Sequence, residues 1–302
     1  MPLLNKEAKR HERALSRGHA VPEGTFTGVV HSVFAHSCNL AVAGTLLTLQ
    51  DSANLHSPTS IRIAGHAGRR WQPSVAPGQP VWLADGLIRI GGSGESTYTL
   101  DISGAEVWRP HHALQFATLN TATTVQLRRV VHEHPVGGGN RPDLCAAVDA
   151  LRKILAQNAT CSATSDELAT AVGALIGLGP GLTPSGDDLL VGLLATLARS
   201  GGTYARDVAN EVAAVIATRG EATTDVSRHY LQLATEGKFS QPLTELLDAL
   251  TRPDLVDLQS TCIQHVLAVG ATSGADAIAG IVLGLSVLAA DESNVSTKEK
   301  AQ

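Results

Sequence analysis

One run constrains this chain more than any other: Gly177-Leu-Gly-Pro-Gly-Leu-Thr-Pro-Ser-Gly-Asp-Asp-Leu-Leu-Val-Gly192. Glycines at 177, 179 and 181 free the backbone for dihedrals that other residues avoid. Thr183-Pro184 follows, and proline suits the first turn of a helix because its missing N–H has no partner there. Ser185 and Asp188 match the S-x-x-D capping box, which predicts a helix start. Leu189 to Ala198 is then apolar on every face, the mark of a helix inside a protein. A glycine-rich loop therefore delivers polar side chains to the tip of a buried rod.

The same idea recurs downstream. Ser185-Gly-Asp-Asp-Leu-Leu-Val-Gly192 aligns with Ser273-Gly-Ala-Asp-Ala-Ile-Ala-Gly280, and both run into apolar helices. Gly280 and Gly284 lie one turn apart, so another backbone can approach closely. The repeat predicts two helices packed together with their N-termini at one pocket. The plainest reading of each tip is a cap, with Ser and Asp bonding each other's backbone. The functional reading adds that remaining N–H groups and the positive helix ends favour an anion, phosphate or carboxylate. Gly179, Gly181, Thr183, Ser185 and Gly186 are then candidate ligand-binding residues from the first tip, and Thr272, Ser273 and Gly274 from the second. Asp187 fits three roles: acceptor for a ligand amide or cation, holder of Mg²⁺ through water, or partner of the helix dipole. Asp187, Asp188 and Asp276 are the candidate catalytic carboxylates.

Ala222-Thr-Thr-Asp-Val-Ser-Arg228 places hydroxyls at 223, 224 and 227 near one helix face. Thr223 or Thr224 reads as an N-cap. Alternatively Thr223, Thr224, Ser227 and Arg228 contact the ligand. The loop is no P-loop, since no Gly-Lys-Ser/Thr follows, and G-x-G-x-G after a helical stretch is no dinucleotide fingerprint. The 12 histidines form no H-E-x-x-H, so no metal centre is expected and any Mg²⁺ is optional. His132 and His134 read as solvated loop residues, and Arg69-Arg70 and Arg128-Arg129 as solvated faces.

A net charge of −5 with only 3% aromatic residues argues against a nucleic-acid partner. Cys38, Cys145, Cys161 and Cys262 form no C-x-x-C and suit reduced thiols. The charged start, Asn5 to Arg13, lacks an apolar core, so no signal peptide is expected. The apolar run Ala275 to Ala290 carries Asp276 and is short of the roughly 20 residues that span a bilayer. These features predict a soluble cytoplasmic protein without a membrane partner.

The fold class expected is α+β. Residues 1–23 read as a charged helical arm. Residues 24–110 alternate in short β-branched runs, namely Thr25–Phe34, Gly44–Leu49, Ile61–Ile63, Pro80–Ile90 and Tyr98–Trp108, with His36 to Asn39 as a turn. They predict a small barrel or sandwich with Trp71, Trp82 and Trp108 in its core. Residues 111–290 switch to helical patterning. The helices expected are Ala113–Val131, Leu144–Gln157, Ser165–Ile176, the buried run to Arg199, Tyr204–Thr218, Thr223–Thr235, Pro242–Leu250, Asp254–Val269 and Gly274–Ala289. Residues 291–302 are polar and read as a disordered tail.

With these residues in view, the chain resembles the AllH family. Gly179-Pro-Gly-Leu-Thr-Pro-Ser-Gly-Asp-Asp188 carries the family's hallmark. Further matches are His31-Ser-Val-Phe34 with Asn39, Thr223-Thr-x-x-Ser227 with Gly237-x-Phe239, and Thr272-Ser-Gly-Ala-Asp276. The resemblance implies a β-rich N-terminal part, a helical C-terminal part, and a ligand role for Asn39. It also implies one subunit of an oxamate carbamoyltransferase in anaerobic allantoin breakdown, a branch of purine catabolism. That enzyme exchanges phosphate and the ureido acid oxalurate for carbamoyl phosphate and oxamate. Companion subunits similar to FdrA are implied partners. One departure is Ala271, where the family pattern has His before Thr-Ser-Gly. The rival readings are a non-catalytic metabolite-binding or assembly subunit and, less favoured, a metal-dependent amidohydrolase built on Asp187 and Asp188.

Overall fold

The computed structural model describes residues 10–64, 71, 75–91, 96–110, 121–139, 141–158, 165–252 and 254–300. Residues 1–9 of the expected arm, Arg69-Arg70, the first part of the helix expected from Ala113, Cys161 and residues 301–302 lie outside them. The chain divides into two units, Met1–His111 and His112–Gln302.

The first unit is a barrel of eight strands with a ninth alongside. Its strands are β1 (Arg10–Gly18), β2 (Phe26–Val33), β3 (Ser37–Val42), β4 (Thr45–Asp51), β5 (Ser60–Ile63), β6 (Pro80–Ala84), β7 (Leu87–Gly91), β8 (Ser96–Asp101) and β9 (Glu106–Trp108). Their order is β5-β4-β3-β2-β6-β7-β8-β1-β9, and a β1–β5 pairing closes the cylinder. Period-two alternation fills it with Cys38, Leu40, Val42, Leu47, Leu49, Ile61, Ile63, Val81, Leu83, Ile88, Ile90 and Leu100. The Pro80–Ile90 run is two strands, joined at Asp85-Gly86, whose φ of 52° and 72° suit a tight hairpin.

Three expectations are corrected here. The helical arm is a strand from Arg10, because its inward residues Ala14, Ser16 and Gly18 are small and gave no apolar alternation. A side chain at Gly18 would meet the Pro58 carbonyl oxygen at 2.1 Å. The His36–Asn39 turn is largely β3, whose buried Asn39 is satisfied by neighbouring strands. Of the tryptophans only Trp71 is in the core; Trp82 and Trp108 are half-buried, and Trp108 stacks on His56 at 5.2 Å.

The second unit is helical: α1 (Thr121–Glu133), α2 (Pro142–Asn158), α3 (Ser165–Leu175), α4 (Ser185–Leu197), α5 (Thr203–Arg219), α6 (Asp225–Thr235), α7 (Gln241–Leu250), α8 (Val256–Leu267) and α9 (Ser273–Lys300). The expected disordered tail is corrected in part, since α9 continues to Lys300. The stretch Ser273–Ala290 has a mean hydropathy of 1.8, enough by composition for a membrane span, but 67% of it is buried inside the protein. It is the core rod of this unit.

α4 and α9 form the central pair. They run parallel and touch through glycine. A Cβ on Gly192 would lie 2.0 Å from the Ala277 carbonyl oxygen, and one on Gly280 would lie 1.9 Å from that of Leu189. Gly284 faces the Thr196 side chain in the same way. Shifting every number by the Ser185-to-Ser273 spacing turns the first contact into the second, and the third into itself. The pair therefore obeys a local twofold relation about an axis along the helices. Backbone contact at this seam fixes the register of one tip against the other.

Candidate functional site

The twofold relation brings the two Ser-Gly-x-Asp tips together. Thr183 Oγ1 lies 2.9 Å from Ser273 Oγ. The capping boxes, however, do not form as the sequence suggested. The N-cap of α4 is Pro184, with no side-chain cap, and Ser185 sits one position inside the helix, 1% exposed. The partners are exchanged across the repeat. Asp188 accepts from Ser273 and Thr183, while Asp276 accepts from Ser185 and Thr272. The Asp188–Ser273 and Asp276–Ser185 bonds are equivalent under the twofold.

A third segment completes the cluster. After α1 the chain makes a 3-10 turn, Val136–Gly139, in which Gly137, Gly138 and Gly139 have φ of 62°, 72° and 81°. Such dihedrals favour glycine. The Gly137 N–H donates to Asp276 Oδ1 at 2.8 Å. A side chain there would strike Leu144 and lie 3.5 Å from Ser185 Oγ. Three glycines in succession were the signal available in the sequence.

One oxygen on each acid remains without a partner. Asp188 Oδ2 and Asp276 Oδ2 are both buried and make no hydrogen bond. Asp276 is fully buried. Burial pushes the Asp188 carboxyl up to about 7, with Asp276 and Asp187 adding like-charge repulsion against the opposing help of Ser273 and Thr183. Burial raises Asp276 as well, against the bonds from Gly137, Ser185 and Thr272. Buried polar atoms are normally paired, so two orphans in one cluster set these two acids apart from Asp187.

Asp187 behaves differently. It is fully buried, and its Oδ1 accepts from the Gly177 N–H at 2.9 Å. Its Oδ2 accepts from Thr223 Oγ1 at 2.5 Å and Ser227 Oγ at 2.7 Å. Thr224 caps α6, accepting from the Ser227 N–H and donating to the Leu182 carbonyl at 2.5 Å. These four residues tie the glycine-rich loop to α4 and α6. Arg228 pairs with Glu221 and Asp225. The amide donors are also partly taken: Gly186 N–H bonds the Leu178 carbonyl, and Gly274 N–H bonds that of Val269. Gly179 and Gly181 hold the loop open with φ of 134° and 91°, and Gly181 is exposed.

Asn39 belongs to the barrel unit. Its Nδ2 donates to Ser32 Oγ at 3.1 Å and its Oδ1 accepts from Thr48 at 2.9 Å. His31 Nδ1 lies 3.1 Å from the same Ser32 oxygen. Cys38, Cys145 and Cys262 are free thiols. His132 and His134 are exposed. Among the described residues no group of three or more His, Cys, Asp or Glu is arranged to hold a metal.

Residues 175–285 match the family described as oxamate carbamoyltransferase subunit AllH, and residues 9–107 match the AllH family N-terminal domain. The chain belongs to the AllH family. The N-terminal AllH match covers the barrel strands, and the other runs from the end of α3 through the tips of α4 and α9. Both halves of the Ser-Gly-x-Asp cluster thus lie inside the AllH segment. No solved structure matches this AllH-family chain.

Proposed function

We propose that this chain carries the reaction centre of an oxamate carbamoyltransferase, at the joined tips of α4 and α9. The reaction is carbamoyl transfer between an oxalurate-like ureido acid and phosphate, in the nitrogen-releasing breakdown of allantoin and other purine products. The observation that carries the reading is the pair of orphaned carboxyl oxygens framed by Thr183, Ser185, Thr272 and Ser273. A ureido group offers planar N–H donors to such oxygens, and the hydroxyls suit the oxygens of phosphate, carbamoyl phosphate or the ureido carboxylate. The two positive helix ends add a field that favours these anions over a cation. The proposal therefore needs no metal, Mg²⁺ included. Asp187, Thr223, Thr224 and Ser227 serve by positioning the loop, and Asn39 by ordering the barrel strands.

The test is reconstitution of the chain with FdrA-like and companion subunits, supplied with phosphate and oxalurate and assayed for carbamoyl phosphate. Asp188→Asn and Asp276→Asn are each expected to lower kcat by about 10²–10⁴-fold, the range for a lost acid–base group. Turnover within threefold of wild type in both folded variants would remove the site from this role.

A second reading is favoured by two exposed apolar residues beside the tips, Leu182 at 47% and Val269 at 44%. In it the chain binds the metabolite and a companion subunit supplies the reacting groups. The isolated chain would then bind oxalurate, and turnover in the complex would survive loss of either aspartate.

A further inference from the structure

We propose that Asp188 and Asp276 hold one proton between them, and that this single-proton pair is both the acid and the base of the transfer. The inference rests on the reaction assigned above and adds the proton inventory that drives it. Its geometric basis is independent of that reaction. Each carboxyl has one oxygen fully engaged, Asp276 Oδ1 by the Gly137 N–H at 2.8 Å, and each has the other buried and unpaired. The twofold relation between the tips places the two carboxyl-bearing residues at equivalent positions. One proton leaves a single negative charge in the cluster, on one acid or the other. Two protons leave no charge for the positive helix ends to favour, and none leaves two buried charges that repel each other.

The surroundings favour that state. From α4 the charged neighbour is Asp187, and from α9 it is Asp276. The loop before α4 presents Thr183, the start of α9 presents Ser273, and Ser185, Thr272 and the Gly137 N–H face Asp276. These donors support a single negative charge. A second charge would face the first across a site shielded from water.

The chemistry then balances. Hydrogen phosphate attacks the ureido carbonyl carbon, and its proton passes to the ionised carboxyl. The carbon–nitrogen bond to the oxamate nitrogen breaks, and that nitrogen receives the proton of the neutral carboxyl. Carbamoyl phosphate and oxamate leave, and the pair again holds one proton with the two acids having exchanged roles. No net proton enters or leaves, so turnover needs no other acid or base.

The test is an infrared titration of the carboxylic-acid carbonyl stretch in the full chain from pH 4 to 9. Wild type is expected to lose a buried acid proton in a step near pH 7. In Asp276→Asn the step of the remaining Asp188 is expected to move at least one pH unit lower, because its charged neighbour is gone. In Asp188→Asn the step of Asp276 is expected to fall likewise. Ser273→Ala, which keeps both acids and removes one donor to ionised Asp188, is expected to move the step upward. Steps that stay in place in both Asn variants would overturn the pair. The reconstituted enzyme gives a separate result, a bell-shaped pH dependence of kcat that loses one limb in each Asn variant. Coupled steps without carbamoyl transfer would leave the pair standing and remove the reaction. Transfer without coupled steps would do the reverse.

Discussion

Asp188→Asn is expected to make the protein more stable relative to wild type at pH 8 than at pH 5. Burial, with repulsion from Asp276, lifts the Asp188 carboxyl from 3.8 to about 7. Between those values the folded chain binds more protons than the unfolded one. Stability contributed by the neutral acid is therefore lost as pH rises through this window. At about 1.4 kcal/mol per pH unit the full shift is worth roughly 4 kcal/mol, of which roughly 2.7 kcal/mol falls above pH 5. Asparagine carries no charge to desolvate and escapes this loss. Any fixed cost of fitting the amide cancels when the two pH values are compared. For a unit of this size 1 kcal/mol moves Tm by about 2–4 °C. The Tm gap between variant and wild type should thus widen by roughly 5–10 °C from pH 5 to pH 8. Scanning calorimetry at matched ionic strength reads it directly. A gap equal at both pH values would refute the claim that Asp188 is held neutral by its site.

Three further outcomes follow from the packing. Asp187→Ala strands the Gly177 N–H and the Thr223 and Ser227 hydroxyls. It should cost about 3–5 kcal/mol in a urea titration, whereas an unchanged midpoint would mean that Asp187 serves a ligand rather than the loop. Gly280→Ala drives a methyl to 1.9 Å from the Leu189 carbonyl and should exceed the usual 1–3 kcal/mol of overpacking. Gly181→Ala, at φ 91° with nothing within 4 Å, should cost only about 1 kcal/mol of backbone strain.

Much of the helical unit was legible because each helix carries its own punctuation. Pro142, Ser165, Thr224 and Pro242 sit at or near helix starts, and the apolar runs lie between them. The meeting of the α4 and α9 tips was legible from the Ser-Gly-x-Asp repeat. The roles within it were not. Ser185 and Asp188 have the spacing of a local capping box, and nothing in one copy says that the bonds will cross to the other. Asp187 and Asp188 are adjacent acids in sequence, but helical rotation sends one into the loop's hydrogen bonds and the other toward α9. In the barrel, β1 was missed because closure at Gly18 needs small residues, which erase the alternation that marks a strand. β3 was missed because Ser37 and Asn39 look like turn residues until Ser32 and Thr48 are placed beside them.

The arrangement carries a cost that packing alone does not require. Two helices could meet through Gly192, Gly280 and Gly284 with ordinary serine caps and no buried acid at either tip. Here each cap is exchanged for a carboxyl that crosses to the other helix and leaves an oxygen unpaired. Replacing such a group with a neutral isostere commonly stabilises a protein, and active sites are where that gain is forgone. The helix ends make the choice more specific. Their positive field favours a negative charge, while burial and the neighbouring acid oppose a second one. The balance selects one charge and one proton in the same cluster. A structural cap needs neither, whereas a reaction that takes a proton from one reactant and gives it to another needs both.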